Sequence, residues 1–165
     1  MRDVPRLTSG RRPHGYTLAE AGRRALTPAG GDGYREIVEA VAAHHVAAGR
    51  GPAEAHQIGE AWGRQRADAL GPGAADNPVG AVADLLAMLG FDPAPAPDGP
   101  GLLLRSCPLH GLAKDNPEFA CTLHEGMVKG VIRRLGGRQA VRLLPFAHPH
   151  GCRLLIQDPD DEATA

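Results

Sequence analysis

The chain has 165 residues with 18 basic and 19 acidic side chains, 8 histidines and 3 cysteines, for a formal net charge of −1. That length holds one domain, or one small domain with an appendage, and the near-zero charge excludes recruitment of nucleic acid by global charge. The odd cysteine count argues against a disulfide framework, and no apolar run reaches the length of a membrane span or follows Met1 as a signal region, so a cytoplasmic protein without a membrane partner is expected.

The charge is uneven. Arg2, Arg6, Arg11, Arg12, Arg23 and Arg24 crowd the start, and Asp158, Asp160, Asp161 and Glu162 the end. A basic head predicts a polyanion contact, and an acidic tail predicts a solvated, disordered end. The stretch from Thr8 to Leu18, rich in Gly, Pro and Arg before Tyr16-Thr17-Leu18, reads as the tip and return strand of a hairpin. A short helix is expected over 19–26, with a capping box from Thr17 to Glu20, and then a linker over 27–33.

Three helices follow. The first carries an apolar stripe of Tyr34, Ile37, Val38, Val41, Ala42 and Val46 and stops at Gly49 and Gly51. Pro52 opens the second, with Ile58, Trp62, Ala69 and Leu70 expected inward. The third runs from Pro78 to Leu89, with Val79, Val82, Leu85, Leu86 and Leu89 on one side and Gly90 as its stop. Residues 92–100 are Pro/Gly-rich, and Leu102-Leu103-Leu104 reads as a strand. Asn116 as N-cap and Pro117 at the first position start a long helix to about Leu135. Its expected core face is Leu123, Met127, Val131 and Leu135. Two short strands, 141–144 and 153–156, are joined by a turn holding His148 and His150. The fold class is α+β, with helices packed on a small antiparallel sheet.

All three cysteines fall in this last third. Cys107 is expected at a strand end, Cys121 in the second helical turn and Cys152 at a strand start. Elements that meet at their ends can bring such thiols together. His124 shares the helical face of Cys121, and His110 can reach back toward Cys107. Three thiolates plus His110, His124, His148, His150 or a carboxylate suit zinc or an iron–sulfur cluster. The same pattern suits cysteines that are small buried hydrophobes beside surface histidines. His44, His45 and His56 read as solvated or interfacial. At the head, Arg11, Arg12, His14 and Tyr16 have the character of a loop lying along a phosphate backbone, or of a plain basic terminus.

The run from Gly10 to Leu26, with Arg11-Arg12-Pro13-His14-Gly15-Tyr16-Thr17-Leu18 at its front, resembles the wing and following helix of winged helix-turn-helix repressors. Ser106-Cys107-Pro108-Leu109-His110, Asn116 through Cys121, and Gly151-Cys152-Arg153-Leu154 are similar to the sensor half of ArsR-type bacterial regulators. That group includes the repressor of the SUF iron–sulfur assembly operon. The resemblance spans about Thr8 to Ile156. It implies a cytoplasmic homodimeric transcriptional regulator, a repressor and no enzyme. Cys107, Cys121 and Cys152 would ligate a four-iron cluster, with zinc as the alternative and His110 and His124 as further metal candidates. Arg11, Arg12, His14 and Tyr16 would contact operator DNA.

The implied organisation is a wing and incomplete winged-helix domain over 1–30, a helical dimerisation segment over 31–90, a cysteine-containing sensor domain over 91–157 and a disordered tail over 158–165. The stretch before Arg11 is too short for the helix pair that enters the major groove. The recognition helix is therefore expected to be missing, whether through a fragment, a late-assigned start or a shortened relative. Two other classes compete: an enzyme with Cys121 as a nucleophile activated by His124 or another histidine, and a metal-free dimerisation or interaction module.

Overall fold

A computed structural model describes residues 31–97 and 99–158. The expected hairpin tip, its capping box, Arg11, Arg12, His14, Tyr16 and the tail beyond Asp158 lie outside the described residues. The described residues from Asp32 to Asp158 belong to one compact unit with a single core that draws on both the expected 31–90 and 91–157 segments.

Helix α1 (Gly31–Ala47) begins three residues before Tyr34 and ends ahead of Gly49, whose φ of +73° suits a helix stop. Its apolar stripe is largely uncovered. Ala42 is buried, whereas Ile37, Val38, Val41 and Val46 are exposed. Helix α2 (Pro52–Asp68) opens on Pro52 as expected, but its inward face differs. Ala55, Gly59, Gly63 and Ala67 are buried, while Ile58 and Ala69 are exposed and Trp62 and Leu70 half-buried. The face was expected from the large apolar residues; the small ones at a four-residue spacing form it, because they alone admit a second helix at backbone contact.

After a 3₁₀ turn (Pro72–Ala75), helix α3 (Pro78–Met88) starts where Asn77 accepts a 2.9 Å bond from the Gly80 amide. It buries Val82, Leu85 and Leu86, within the expected stripe, and stops before Gly90 at φ +87°.

Four strands follow the helices: β1 (Pro93–Pro95), β2 (Leu102–Leu104), β3 (Ala140–His148) and β4 (Gly151–Gln157). They pair antiparallel in the order β1-β2-β4-β3. Strand β1 lies in the Pro/Gly-rich stretch, where no strand was expected. Its two prolines cannot donate to a ladder, and at a sheet edge they need not. Strands β3 and β4 are longer than expected and turn tightly between His148 and Gly151. Between β2 and β3 come α4 (His110–Asp115), which was not expected, and α5 (Pro117–Arg134). Pro117 occupies the first turn of α5, but the Asn116 side chain makes no capping bond.

The fold is thus α+β. Helix α5 is its spine, with Ala120, Met127, Val128, Val131 and Ile132 buried; Leu123 and Leu135 are half-buried. One side meets the sheet face of Leu104, Val141, Leu143, Leu154 and Ile156 in a single core. The Glu125 carboxylate accepts from the Leu143 amide at 2.8 Å and so covers part of β3, an edge strand. The other side meets α2 through interlocked glycines. A Cβ on Gly59 or Gly63 would overlap the Leu123 or Met127 carbonyl oxygen, and one on Gly126 or Gly130 that of His56 or Glu60. Arg133–Glu60 and Arg134–Asp68, each 2.6 Å, flank this crossing. Exposed pairs of this kind add at most about 1 kcal/mol each, so close packing holds the helices together.

Candidate thiol site

Each cysteine reaches the site from a different element. On β4 the period of two sends Cys152, Leu154 and Ile156 to one face, toward the core. Cys152 pairs with Leu104 across the ladder. Gly151 permits that pairing, since a Cβ there would overlap the Leu104 carbonyl oxygen. Cys107 lies three residues past β2, in the loop that leads into α4. Cys121 sits in the second turn of α5, buried, with His124 one turn on and also buried. The three thiols and His124 line one cavity of about 20 Å³, closed by Phe91, Leu104 and Phe146 among others. The expected convergence of Cys107, Cys121 and Cys152 is present in the described structure.

The site's chemistry follows from its dryness. Burial, and then the neighbouring Cys152 and Cys107 sulfurs, push the Cys121 thiol up from 9.0 to about 12. Such a thiol is protonated at neutral pH and lacks the thiolate a nucleophile needs. A bound cation would reverse this, because a coordinating thiol is deprotonated outright. Burial also pushes His124 down from 6.5 to about 4, so its imidazole is neutral. Its ring meets Phe91 edge-on, with centroids 4.8 Å apart. The Phe146 amide donates to Cys152 Sγ at 3.3 Å. Phe146 lies at the β3 irregularity between Leu144 and His148, at φ +52°, a conformation a bulky residue adopts only when its surroundings impose it. Amide bonds to sulfur are among the interactions that tune thiolate-held centres.

The histidines part company. His124 borders the cavity. His110 does not line it: its backbone amide bonds to the Cys107 carbonyl at 3.2 Å, and its ring faces Phe146 at 6.3 Å. The His148 and His150 rings lie side by side at the hairpin tip, centroids 5.4 Å apart and tilted by 51°. As packed, no group of three or more His, Cys, Asp or Glu side chains among the described residues could hold a metal ion. Thiol and imidazole are donor types that thiophilic metals take, and the cavity these side chains line has room for about one water.

Reactivity should follow this burial. In the metal-free protein at pH 7.5, iodoacetamide should label Cys121 roughly a hundredfold or more slowly than it labels the same residue in urea. Peptide mass spectrometry reads the rates; equal native and denatured rates would contradict the burial. No helix among the described residues is long and apolar enough to cross a membrane. No family model matches the chain, and no curated protein or solved structure matches it.

Proposed function

We propose that this chain is the sensor and dimerisation part of a bacterial transcriptional regulator, in which Cys107, Cys121 and Cys152 hold a thiophilic metal centre. The supporting observation is that three thiols from three separate elements line one small cavity. The resemblance in the cysteine phrases favours an iron–sulfur cluster, and the thiol and imidazole donor types suit zinc as a second reading. When bound, such a centre would supply redox or metal sensitivity. His124 borders the site and excludes water from it, and the Phe146 amide orients Cys152. Transmission would run through α5, which carries Cys121 and interlocks with α2. A changed packing at Cys121 would then reach the helical segment, the homodimer and the DNA contacts of the head, Arg11, Arg12, His14 and Tyr16.

One experiment separates the readings. Protein purified without air is examined by visible absorption, with iron, sulfide and zinc counted on the same sample. The cluster reading expects a brown protein with about four irons and four sulfides per chain, lost in Cys107→Ser, Cys121→Ser or Cys152→Ser. Colourless protein with about one zinc per chain supports the second reading. Neither metal, with unchanged folding in all three variants, overturns the proposed centre.

A further inference from the structure

Three cysteines meet at the thiol cavity, and none of them is in a disulfide. They are not equivalent. Cys107 and Cys152 are half-buried, whereas Cys121 is only 7% exposed. A small oxidant acts first on the thiols it can reach. Cys121 is also held in place, because its helix α5 interlocks with α2 at backbone contact. Cys107 belongs to no helix or strand. Irregular backbone adjusts to the geometry of a disulfide at less cost than a packed helix. Strands β2 and β4 run antiparallel, so the end of β2 and the start of β4 lie side by side. Cys152 pairs with Leu104 there, and Cys107 follows Leu104 by three residues. The Phe146 amide donates to Cys152 Sγ at 3.3 Å and fixes that sulfur beside an exposed residue of the cavity wall.

We propose that Cys107 and Cys152 form a disulfide when the metal-free chain meets hydrogen peroxide, with Cys121 left reduced. The Cys152 sulfur attacks one peroxide oxygen, the O–O bond breaks, and hydroxide leaves with the thiol proton as water. Cys152 is then a sulfenic acid. The Cys107 sulfur attacks the Cys152 sulfur, the S–O bond breaks, and the hydroxyl leaves with the Cys107 proton as a second water. The two sulfurs lose two electrons, and these reduce the peroxide. Two of the three thiols are then closed to a metal, so metal and disulfide are alternative states of one site. The inference rests on the convergence of the thiols and not on the metal reading, since a chain that takes up no metal still forms the link.

The test treats the full chain, reduced and freed of metal by a chelator, with about one equivalent of hydrogen peroxide at pH 7.5. Thiols counted under denaturing conditions should fall from the three of the sequence to about one per chain. Trypsin, cutting after Arg105, Lys114, Lys129, Arg142 and Arg153, should release 106–114 joined to 143–153, with Cys121 unoxidised on 115–129. In Cys107→Ser the link should vanish, and dimedone should mark a sulfenic acid on Cys152. In urea, the preference for this pair over the two pairs with Cys121 should fall at least about tenfold, because the elements no longer hold the sulfurs together. Cys121→Ala should keep the link; if that variant does not fold, the peptide map of the parent decides the pairing. A main product joined to 115–129, links between chains, sulfinic acid on unlinked cysteines, or three surviving thiols would overturn the proposal. Metal uptake without the link sinks the disulfide and leaves the metal reading standing, and the link without metal uptake does the reverse.

Discussion

Replacing Gly63 by alanine should destabilise the protein by about 3 kcal/mol, although the same change on a free helix stabilises by about 1 kcal/mol. The reversal comes from what surrounds the position. A Cβ on Gly63 overlaps the Met127 carbonyl oxygen and lies 2.9 Å from its carbon and 3.0 Å from the Val131 amide nitrogen. All three are backbone atoms of α5, so no side chain can swing aside and the whole helix must retreat. Retreat opens the packing around Met127 and Val131, both fully buried. Adding Gly59→Ala one turn away brings the same overlap at Leu123, and the double variant should show no cooperative urea transition. The two sites share one crossing, so their effects will not add simply. Gly51→Ala is the control, since nothing lies within 4 Å of a Cβ there and the change should stay within about 0.5 kcal/mol. Urea unfolding followed by circular dichroism reads all of these. A Gly63→Ala protein as stable as the parent would remove the interlocked crossing as the organising contact.

That crossing also shows what was legible in the sequence. The ends of α2 and α3 follow from Pro52, Pro78 and Gly90, local signals that act on backbone angles. The α2 face did not follow from hydrophobicity, because a helix that must meet another at backbone distance buries its smallest residues. The four-residue spacing of Ala55, Gly59, Gly63 and Ala67, answered by Gly126 and Gly130, was the available signal. The apolar stripe of α1 is left largely uncovered, with Ile37, Val38 and Val41 along an open cavity. The convergence of the thiols was legible because each sits where an element begins, turns or ends. The choice among histidines was not. His110 and His124 look alike beside their cysteines in sequence, but tertiary packing turns one toward Phe146 and the other toward Phe91.

The buried histidine should dominate the response of stability to acid. Burial holds His124 at about 4 in the folded chain, against about 6.5 when unfolded. Between those values the unfolded chain binds a proton that the folded chain refuses, so lowering the pH favours unfolding. The contribution is complete above about pH 6.5, is lost as pH falls to about 4, and is constant below. From pH 7.5 to 5 the loss is roughly 2 kcal/mol, approaching about 3 kcal/mol at pH 4. Among the described residues, the cavities that His124 borders are lined by Cys107, Cys121, Cys152 and His45 and by no carboxylate that would stabilise an imidazolium. His124→Leu keeps an apolar side chain of similar size and cannot take the proton. It should therefore unfold at a lower urea concentration at pH 7.5, through the lost edge contact with Phe91, yet lose roughly 2 kcal/mol less than the parent on acidification. The difference between the two pH slopes isolates His124 from the other titrating groups. Parallel slopes would mean that the imidazole accepts a proton in the folded chain, and the dry boundary between the thiol cavity and the apolar one would have to be given up.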